Sequence, residues 1–222
     1  VTPANIEQFS CMLPESAQIH TPYGATEAVP VISIASNEIL SETRELSEQG
    51  YGMGIGRPIC NTEVKILKIS DDPVTAIHDK ILAAPNEVGE ITVRADLVTR
   101  HYFNNREADL LAKIQEADGS VWHRMGDLGW IDSKGRIWFC GRKSHRVVTA
   151  NETLFSIPVE AIFNNHENVF RSALAGAGPR NGQVPVIFIE PAGKIPSRKA
   201  FIEELKLLAA SNPLTTAIEH IF

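Results

Sequence analysis

The chain has 222 residues, 43% hydrophobic and 22% charged, which fits an ordinary globular protein of one to two domains and excludes a disordered, fibrous or coiled-coil sequence. Its 21 basic and 27 acidic residues leave a net charge of −6, and without a basic block it is a poor partner for nucleic acid or an anionic membrane. Apolar stretches such as 29–35 are far too short to span a membrane, and residues 1–15 lack the basic and apolar parts of a secretory signal, so a cytoplasmic location is expected.

Thr2-Pro3 is placed to cap a helix with Ile6, Phe9 and Leu13 on its apolar face. Residues 17–20 read as a short strand, 21–24 as a loop, 29–35 as an apolar strand and 36–47 as a polar helix. Gly50, Gly52, Gly54 and Gly56 crowd one short run, which favours irregular backbone. The period then becomes two: Val64 and Ile66, with Ile69 more loosely, mark one strand, and Ile91, Val93 and Ala95 mark another. Asn104 is expected to cap a helix through Ala117 with Leu110, Leu111 and Ile114 inward. Residues 122–142 read as two hairpin strands around Asp132-Ser133-Lys134-Gly135.

Beyond Gly141-Arg142-Lys143 the texture changes again. A helix after Ser156 should bury Val159, Ile162 and Phe163, strands are expected at 169–177 and 184–189, and Ser197 should cap a helix carrying Phe201, Leu205 and Leu208. Cys11, Cys60 and Cys140 are odd in number and widely spaced, which argues against a disulfide framework or a zinc site. The seven histidines show no metal-ligand spacing.

Three strings hold side chains suited to chemistry, and each has a plain structural alternative. In Tyr23-Gly24-Ala25-Thr26-Glu27 the ring offers a flat face for a base, the threonine a donor to phosphate, and the carboxylate a ligand for Mg²⁺; alone, the string reads as a turn. In Gly126-Asp127-Leu128-Gly129 the aspartate can accept two hydrogen bonds from a ribose diol, or it sits in an Asp-Gly turn. Gly141-Arg142-Lys143-Ser144-His145-Arg146 either reaches an oxygen-rich ligand through Arg142 or is a solvated linker.

The order of these strings is more telling than any one of them. Tyr23-Gly24-Ala25-Thr26-Glu27 is followed by Gly56-Arg57-Pro58, Gly89-Glu90-Ile91-Thr92-Val93, Gly126-Asp127-Leu128-Gly129, Gly141-Arg142-Lys143 and Pro158-Val159-Glu160-Ala161-Ile162. Over about 140 residues this resembles the second half of the adenylate-forming enzymes, the superfamily of acyl-CoA synthetases, luciferases and peptide-synthetase adenylation domains. The resemblance implies a mixed α/β and α+β fold. Residues 1–50 would end a large α/β domain, 51–141 would form a distorted β-barrel subdomain, and 142–222 a truncated small α+β domain. By the same resemblance Tyr23 stacks on adenine, Gly24 and Thr26 lie at the α-phosphate, Glu27 ligates Mg²⁺, Asp127 and Arg142 hold the ribose, and Lys143-Ser144 is the hinge.

Trp122-His123-Arg124-Met125-Gly126-Asp127 and Trp138-Phe139-Cys140-Gly141-Arg142-Lys143-Ser144-His145-Arg146-Val147 look most like the subfamily that closes β-lactones in bacterial olefin synthesis. There ATP adenylates a long-chain 3-hydroxy acid, and its own 3-hydroxyl then expels AMP. The implied partners are therefore ATP, AMP, Mg²⁺ and a long-chain acyl substrate. Met125, Ser144, Val148 and Asn151 depart from the general pattern of the superfamily, and the last two count against a thiol acceptor. An acyl-CoA or peptide-synthetase-like enzyme is the alternative within the class, and a non-catalytic nucleotide-binding or interaction module is the alternative outside it. The superfamily's phosphate loop and catalytic lysine are expected before residue 1 and beyond Phe222, Lys194 and Lys199 standing too early. The chain is thus expected to be a fragment of a longer enzyme, without a catalytic residue of its own and inactive alone.

Overall fold

The computed structural model describes residues 2–222, and these divide into two compact units, one taking the chain up to Arg44 with Gly54–Phe139, the other Glu45–Met53 with Cys140–Phe222.

The first unit opens with helix α1 (Pro3–Ser10), capped by Thr2, whose hydroxyl accepts from the Asn5 N–H at 3.3 Å. Only Ile6 of its expected apolar face is buried, against Ile34 and Ile39. Phe9 and Leu13 are exposed, and since the helix stops at Ser10, Leu13 is no longer on it.

Strands β1 (His20–Ala25) and β2 (Ala28–Ala35) form a hairpin in which Tyr23 faces Ile32 and Ala25 closes on Ala28, leaving Thr26-Glu27 as a two-residue turn. The expected strand at 17–20 and loop at 21–24 are thus displaced: residues 21–24 are strand. Pro22 is tolerated because β1 lies at the end of the sheet, where a missing N–H breaks no ladder. Residues 36–48 are helical as expected, as α2 (Ser36–Glu38), a π-helical turn Ile39–Thr43 and α3 (Arg44–Glu48).

The glycine run is less irregular than its composition suggests, for Met53–Pro58 is strand β3, paired with β2 through Ile32–Pro58 and Ser33–Arg57. Strands β4 (Glu63–Leu67) and β5 (Gly89–Arg94) pair in antiparallel fashion with Ile66 opposite Ile91; Ile69 lies beyond β4. Helix α4 (Arg106–Ala112) is capped by Asn105 rather than Asn104 and ends five residues before Ala117. There the chain enters β6 (Lys113–Gln115), which pairs with β7 (Val121–Ile131) and buries Ile114 opposite Trp122. Sheet pairing overrides helix period at this point, and Leu110 and Leu111 stay exposed.

The expected hairpin is completed by β8 (Ile137–Arg142). The strand order is β1-β2-β3-β8-β7-β5-β4 with β6 on β7, an open path and no closed barrel. Its core gathers Val31, Ile32, Ile91, Val93, Met125 and Ile137. One ion pair is deeply buried beside it: Arg124 Nη2 meets Glu90 Oε2 at 2.6 Å, and the guanidinium also donates to the carbonyls of Ser70, Asp72 and Leu111.

The second unit holds the short pair β9 (Val147–Val148) and β10 (Thr153–Leu154), then α5 (Ser156–Asn164), β11 (Val169–Ala177), β12 (Val184–Pro191), α6 (Arg198–Ser211) and β13 (His220–Ile221). β12 lies between antiparallel β11 and parallel β13. Val159, Ile162 and Phe163 are buried as expected, and Val159, Phe163, Leu174, Ile187 and Leu205 share one core. Ser197 caps α6 through the Ala200 N–H. The segment Glu45–Met53 joins this unit, where the Asn165 side-chain amide donates to the Glu48 carbonyl at 2.6 Å. Among the described residues no helix is long and apolar enough to cross a membrane. Cys140 is buried and its thiol is pushed up to about 12 by burial, while Cys11 and Cys60 are exposed.

Candidate functional site

The site in the first unit depends on a bulge in β7. Its pairing with β5 shifts between Glu90–Leu128 and Thr92–Arg124, so residues 125–127 stand opposite Ile91 alone. Gly126 adopts φ +67 with nothing near a would-be Cβ, so backbone conformation and not space requires glycine there. The bulge re-aims the chain. The buried Asp127 carboxylate accepts from the Tyr23 hydroxyl, Oη to Oδ2, at 2.6 Å across 104 positions. The Asp-Gly turn considered for this string is absent, since Asp127 lies inside a strand. The Tyr23 ring is tilted beside Phe139, centroids 6.3 Å apart.

The hairpin that carries Tyr23 presents the rest of its string. A Cβ on Gly24 would come within 2.5 Å of the Ala28 carbonyl oxygen, so the close approach of β1 and β2 excludes any side chain. Thr26 is exposed at the turn and Glu27 half-buried. Tyr102 donates to Glu27 Oε1 at 2.7 Å, which holds this carboxyl below the usual carboxylate range, while burial and the same bond push the phenol above its ordinary value. The Thr99 N–H donates to the Glu27 carbonyl at 2.9 Å. Lys113, 5% exposed, donates from Nζ to Thr99 Oγ1 at 3.0 Å; burial lowers its proton affinity against the opposing pull of Glu27 and Asp109.

His123 faces Lys113 across the β6–β7 pair. Burial first, and the Lys113 charge second, pull its imidazole down to about 4, with Nδ1 at 3.2 Å from the Ala112 carbonyl. A histidine depressed in the folded state from an ordinary value of about 6.5 contributes stability that is complete above that value and is lost as pH falls toward 4. The loss is on the order of 3 kcal/mol between those limits. His123→Gln should therefore show a shallower fall in stability from pH 6.5 to 4, measured by denaturant unfolding at both ends. Identical pH dependence in the two proteins would remove His123 from the account.

Local sequence does not single out Tyr102, Lys113 or His123: Tyr102 lies 75 positions from Glu27 in no local motif, and the string containing His123 implies no role for it. Arg142, Lys143 and Ser144 belong to the second unit. Arg142 ends β8 with an exposed side chain, and Lys143–His145 forms a 3₁₀ turn pinned by Arg146, whose Nη1 donates to the Lys143 carbonyl at 2.6 Å. Val148 lies in β9 and Asn151 is exposed in the loop that follows. Among the described residues no three or more His, Cys, Asp or Glu side chains gather as a metal cluster.

Residues 1–103 match the family model of the AMP-binding enzymes. The chain is 41% identical, over 99% of its length, to the olefin beta-lactone synthetase of Stenotrophomonas maltophilia (strain K279a). It is 42% identical, over 98% of its length, to that of Xanthomonas campestris pv. campestris. It spans 40% of each of these relatives. Among solved structures it is similar to the O-succinylbenzoate coenzyme A synthetase of Bacillus subtilis, in complex with AMP (TM-score 0.72) and with ATP and magnesium ion (TM-score 0.71). That likeness covers 100% of this chain and 40% of the other at 20% identity, a level that establishes the fold.

Proposed function

The chain belongs to the AMP-binding, adenylate-forming enzymes, and on that premise we propose that it is part of an ATP-dependent ligase that activates a long-chain 3-hydroxy acid as its acyl adenylate and closes it to a β-lactone. The observation that carries the nucleotide site is the Tyr23–Asp127 hydrogen bond. It joins the residue assigned to adenine and the residue assigned to ribose, which lie far apart in the chain. An ionised carboxylate offers only acceptors, which suits a diol, and the tyrosine hydroxyl fixes one of its oxygens. Thr26 and Gly24, on the adjoining turn and strand, are the proposed α-phosphate contacts. Arg142 is assigned to the ribose, and Lys143-Ser144 to the hinge, by resemblance alone.

Glu27 fits a divalent cation. Its half-buried carboxylate, held below the usual carboxylate range by the Tyr102 hydroxyl, offers an oxygen to Mg²⁺, which takes one or two carboxylates and completes its shell with water and phosphate oxygens. When bound, Mg²⁺ would offset charge on the polyphosphate. In the first proposed step the substrate carboxylate attacks the α-phosphorus and pyrophosphate leaves. In the second, the 3-hydroxyl oxygen attacks the acyl carbonyl, loses its proton, and AMP leaves.

The proposed domain division retains 1–50 as the end of the large domain, 51–141 as the subdomain and 142–222 as the small domain, in a cytoplasmic enzyme. Acyl-CoA ligation is the second reading within the family. Val148 and Asn151 favour lactone closure, since the one brings no charge to a phosphorylated thiol cofactor and the other adds a side chain to the loop. The complete gene product that carries this sequence, given ATP, Mg²⁺, coenzyme A and a long-chain 3-hydroxy acid, should yield AMP, pyrophosphate and the β-lactone, separated by mass. A 3-hydroxyacyl-CoA as main product would overturn lactone closure, and no acid-dependent pyrophosphate release would overturn the ligase reading.

The 222-residue polypeptide alone should show no acid-stimulated exchange of pyrophosphate into ATP. It spans two-fifths of its curated relatives, and adenylation draws most of its acceleration from groups placed around the transferring phosphates. Exchange above background with a fatty or hydroxy acid would refute this.

A further inference from the structure

We propose that Tyr102 is the positioning residue of the Glu27 carboxylate, holding it in one orientation for the divalent cation that accompanies ATP. This rests on the assignment of Glu27 to Mg²⁺ made above. Glu27 sits in a two-residue hairpin turn, where a glutamate side chain has little neighbouring secondary structure to restrain it. Two bonds from one distant segment fix it: Tyr102 Oη to the carboxylate at 2.7 Å and the Thr99 N–H to the main-chain carbonyl at 2.9 Å. The distance is that of a hydroxyl donating to a charged oxygen.

Tyr102 is itself held. Its N–H donates to Asp109 Oδ1 at 2.8 Å, and the Lys113 ammonium lies 5.3 Å from its ring centroid. That ammonium is bonded to Thr99 Oγ1, so the tether closes on itself: Glu27 to Tyr102, Tyr102 to Lys113, Lys113 to Thr99, and Thr99 back to Glu27. A buried cation is costly unless opposing charge faces it, and the carboxylates of Glu27 and Asp109 supply that charge. An apolar side chain at 113 would serve a purely structural core better. Here the cation stiffens the ring that carries the Glu27-binding hydroxyl.

The test uses Tyr102→Phe, which deletes one oxygen and keeps the ring, in the complete gene product. Mn²⁺ in place of Mg²⁺ is followed by electron paramagnetic resonance in the presence of ATP, without acyl substrate. Its affinity for the protein–ATP complex should fall about tenfold, the value of one charge-assisted hydrogen bond. The Mg²⁺ concentration for half-maximal adenylation should rise by the same factor, with kcat at saturating Mg²⁺ within threefold of the parent. Glu27→Gln should weaken Mn²⁺ binding at least as much, and Tyr102→Phe added to Glu27→Gln should change it less than twofold, because the tyrosine acts through the carboxylate. If Glu27→Gln weakens Mn²⁺ binding but Tyr102→Phe does not, the positioning role is overturned and the metal assignment stands. Full additivity of the two substitutions overturns the positioning role as well. If Glu27→Gln leaves Mn²⁺ binding unchanged, the metal assignment falls and takes this inference with it. Thermal unfolding of each variant with and without Mn²⁺–ATP provides the second readout: Tyr102→Phe should lose part of the ligand-induced stabilisation while the unliganded midpoint stays near that of the parent. A Tyr102→Phe protein whose ligand-induced shift equals the parent's overturns the proposal.

Discussion

Asp127→Ala in the complete gene product is expected to lower kcat/KM for ATP by about 30- to 1000-fold, the loss of roughly 2–4 kcal/mol of charge-assisted hydrogen bonding to the ribose. The magnitude follows from the setting of this carboxylate. It is buried, it is aimed by a bulge that Gly126 makes possible, and one oxygen is held by Tyr23 at 2.6 Å. Tyr23→Phe removes only that hydroxyl and leaves the aromatic face, so its expected loss is smaller, about tenfold. The ordering of the two variants matters as much as either value. If Asp127 carries the ribose, alanine there must cost far more than phenylalanine at 23. An Asp127→Ala enzyme within threefold of the parent in kcat/KM for ATP would sink the assignment.

Arg124→Met is expected to destabilise the first unit by about 3–5 kcal/mol, because it leaves the Glu90 carboxylate buried without its guanidinium. Both side chains are almost wholly enclosed, at 2% and 1% exposure, so water cannot take over the lost partner. With typical domain stabilities of roughly 5–15 kcal/mol, the variant should lose a large share of its stability. The double substitution Arg124→Met with Glu90→Leu should recover part of the loss, since it removes both charges. It should not recover all of it, because the carbonyls of Ser70, Asp72 and Leu111 still lose their donor. Urea unfolding followed by tryptophan fluorescence measures both. Arg124→Met within 1 kcal/mol of the parent would show that the pair is dispensable.

Much of the local structure is legible in the residues. The second unit reads almost directly, because its helices carry apolar stripes at helical spacing (Val159, Ile162 and Phe163, then Phe201 and Leu205) and Ser197 marks a helix start. Its strands, expected at 169–177 and 184–189, form as Val169–Ala177 and Val184–Pro191. The β7–β8 hairpin reads equally well, since Asp132 and Gly135 supply the turn between its two strands. Where local signals conflict with sheet pairing, the sequence misleads. Pro22 and Gly24 suggest a loop yet lie in an edge strand. Leu110, Leu111 and Ile114 suggest one helical face, yet Ile114 is drawn into β6 by Trp122 across the ladder.

The residues alone specify the kinds of groups available for a nucleotide: an aromatic face at Tyr23, carboxylates at Glu27 and Asp127, a hydroxyl at Thr26, and their order along the chain. Types and spacings are local properties, so one strand of sequence can display them. Which of these groups meet is set by strand pairing and packing. Asp127 reaches Tyr23 because the β5–β7 register slips at Ile91, and Glu27 reaches Tyr102 because the α4 helix gives way to β6 and brings Lys113 and Thr99 alongside. A bulge and a helix end are settled by the competition between a local hydrogen-bond pattern and pairing with a strand far away in the chain, and the energy of that pairing is written in the partner strand, not in the segment that bends.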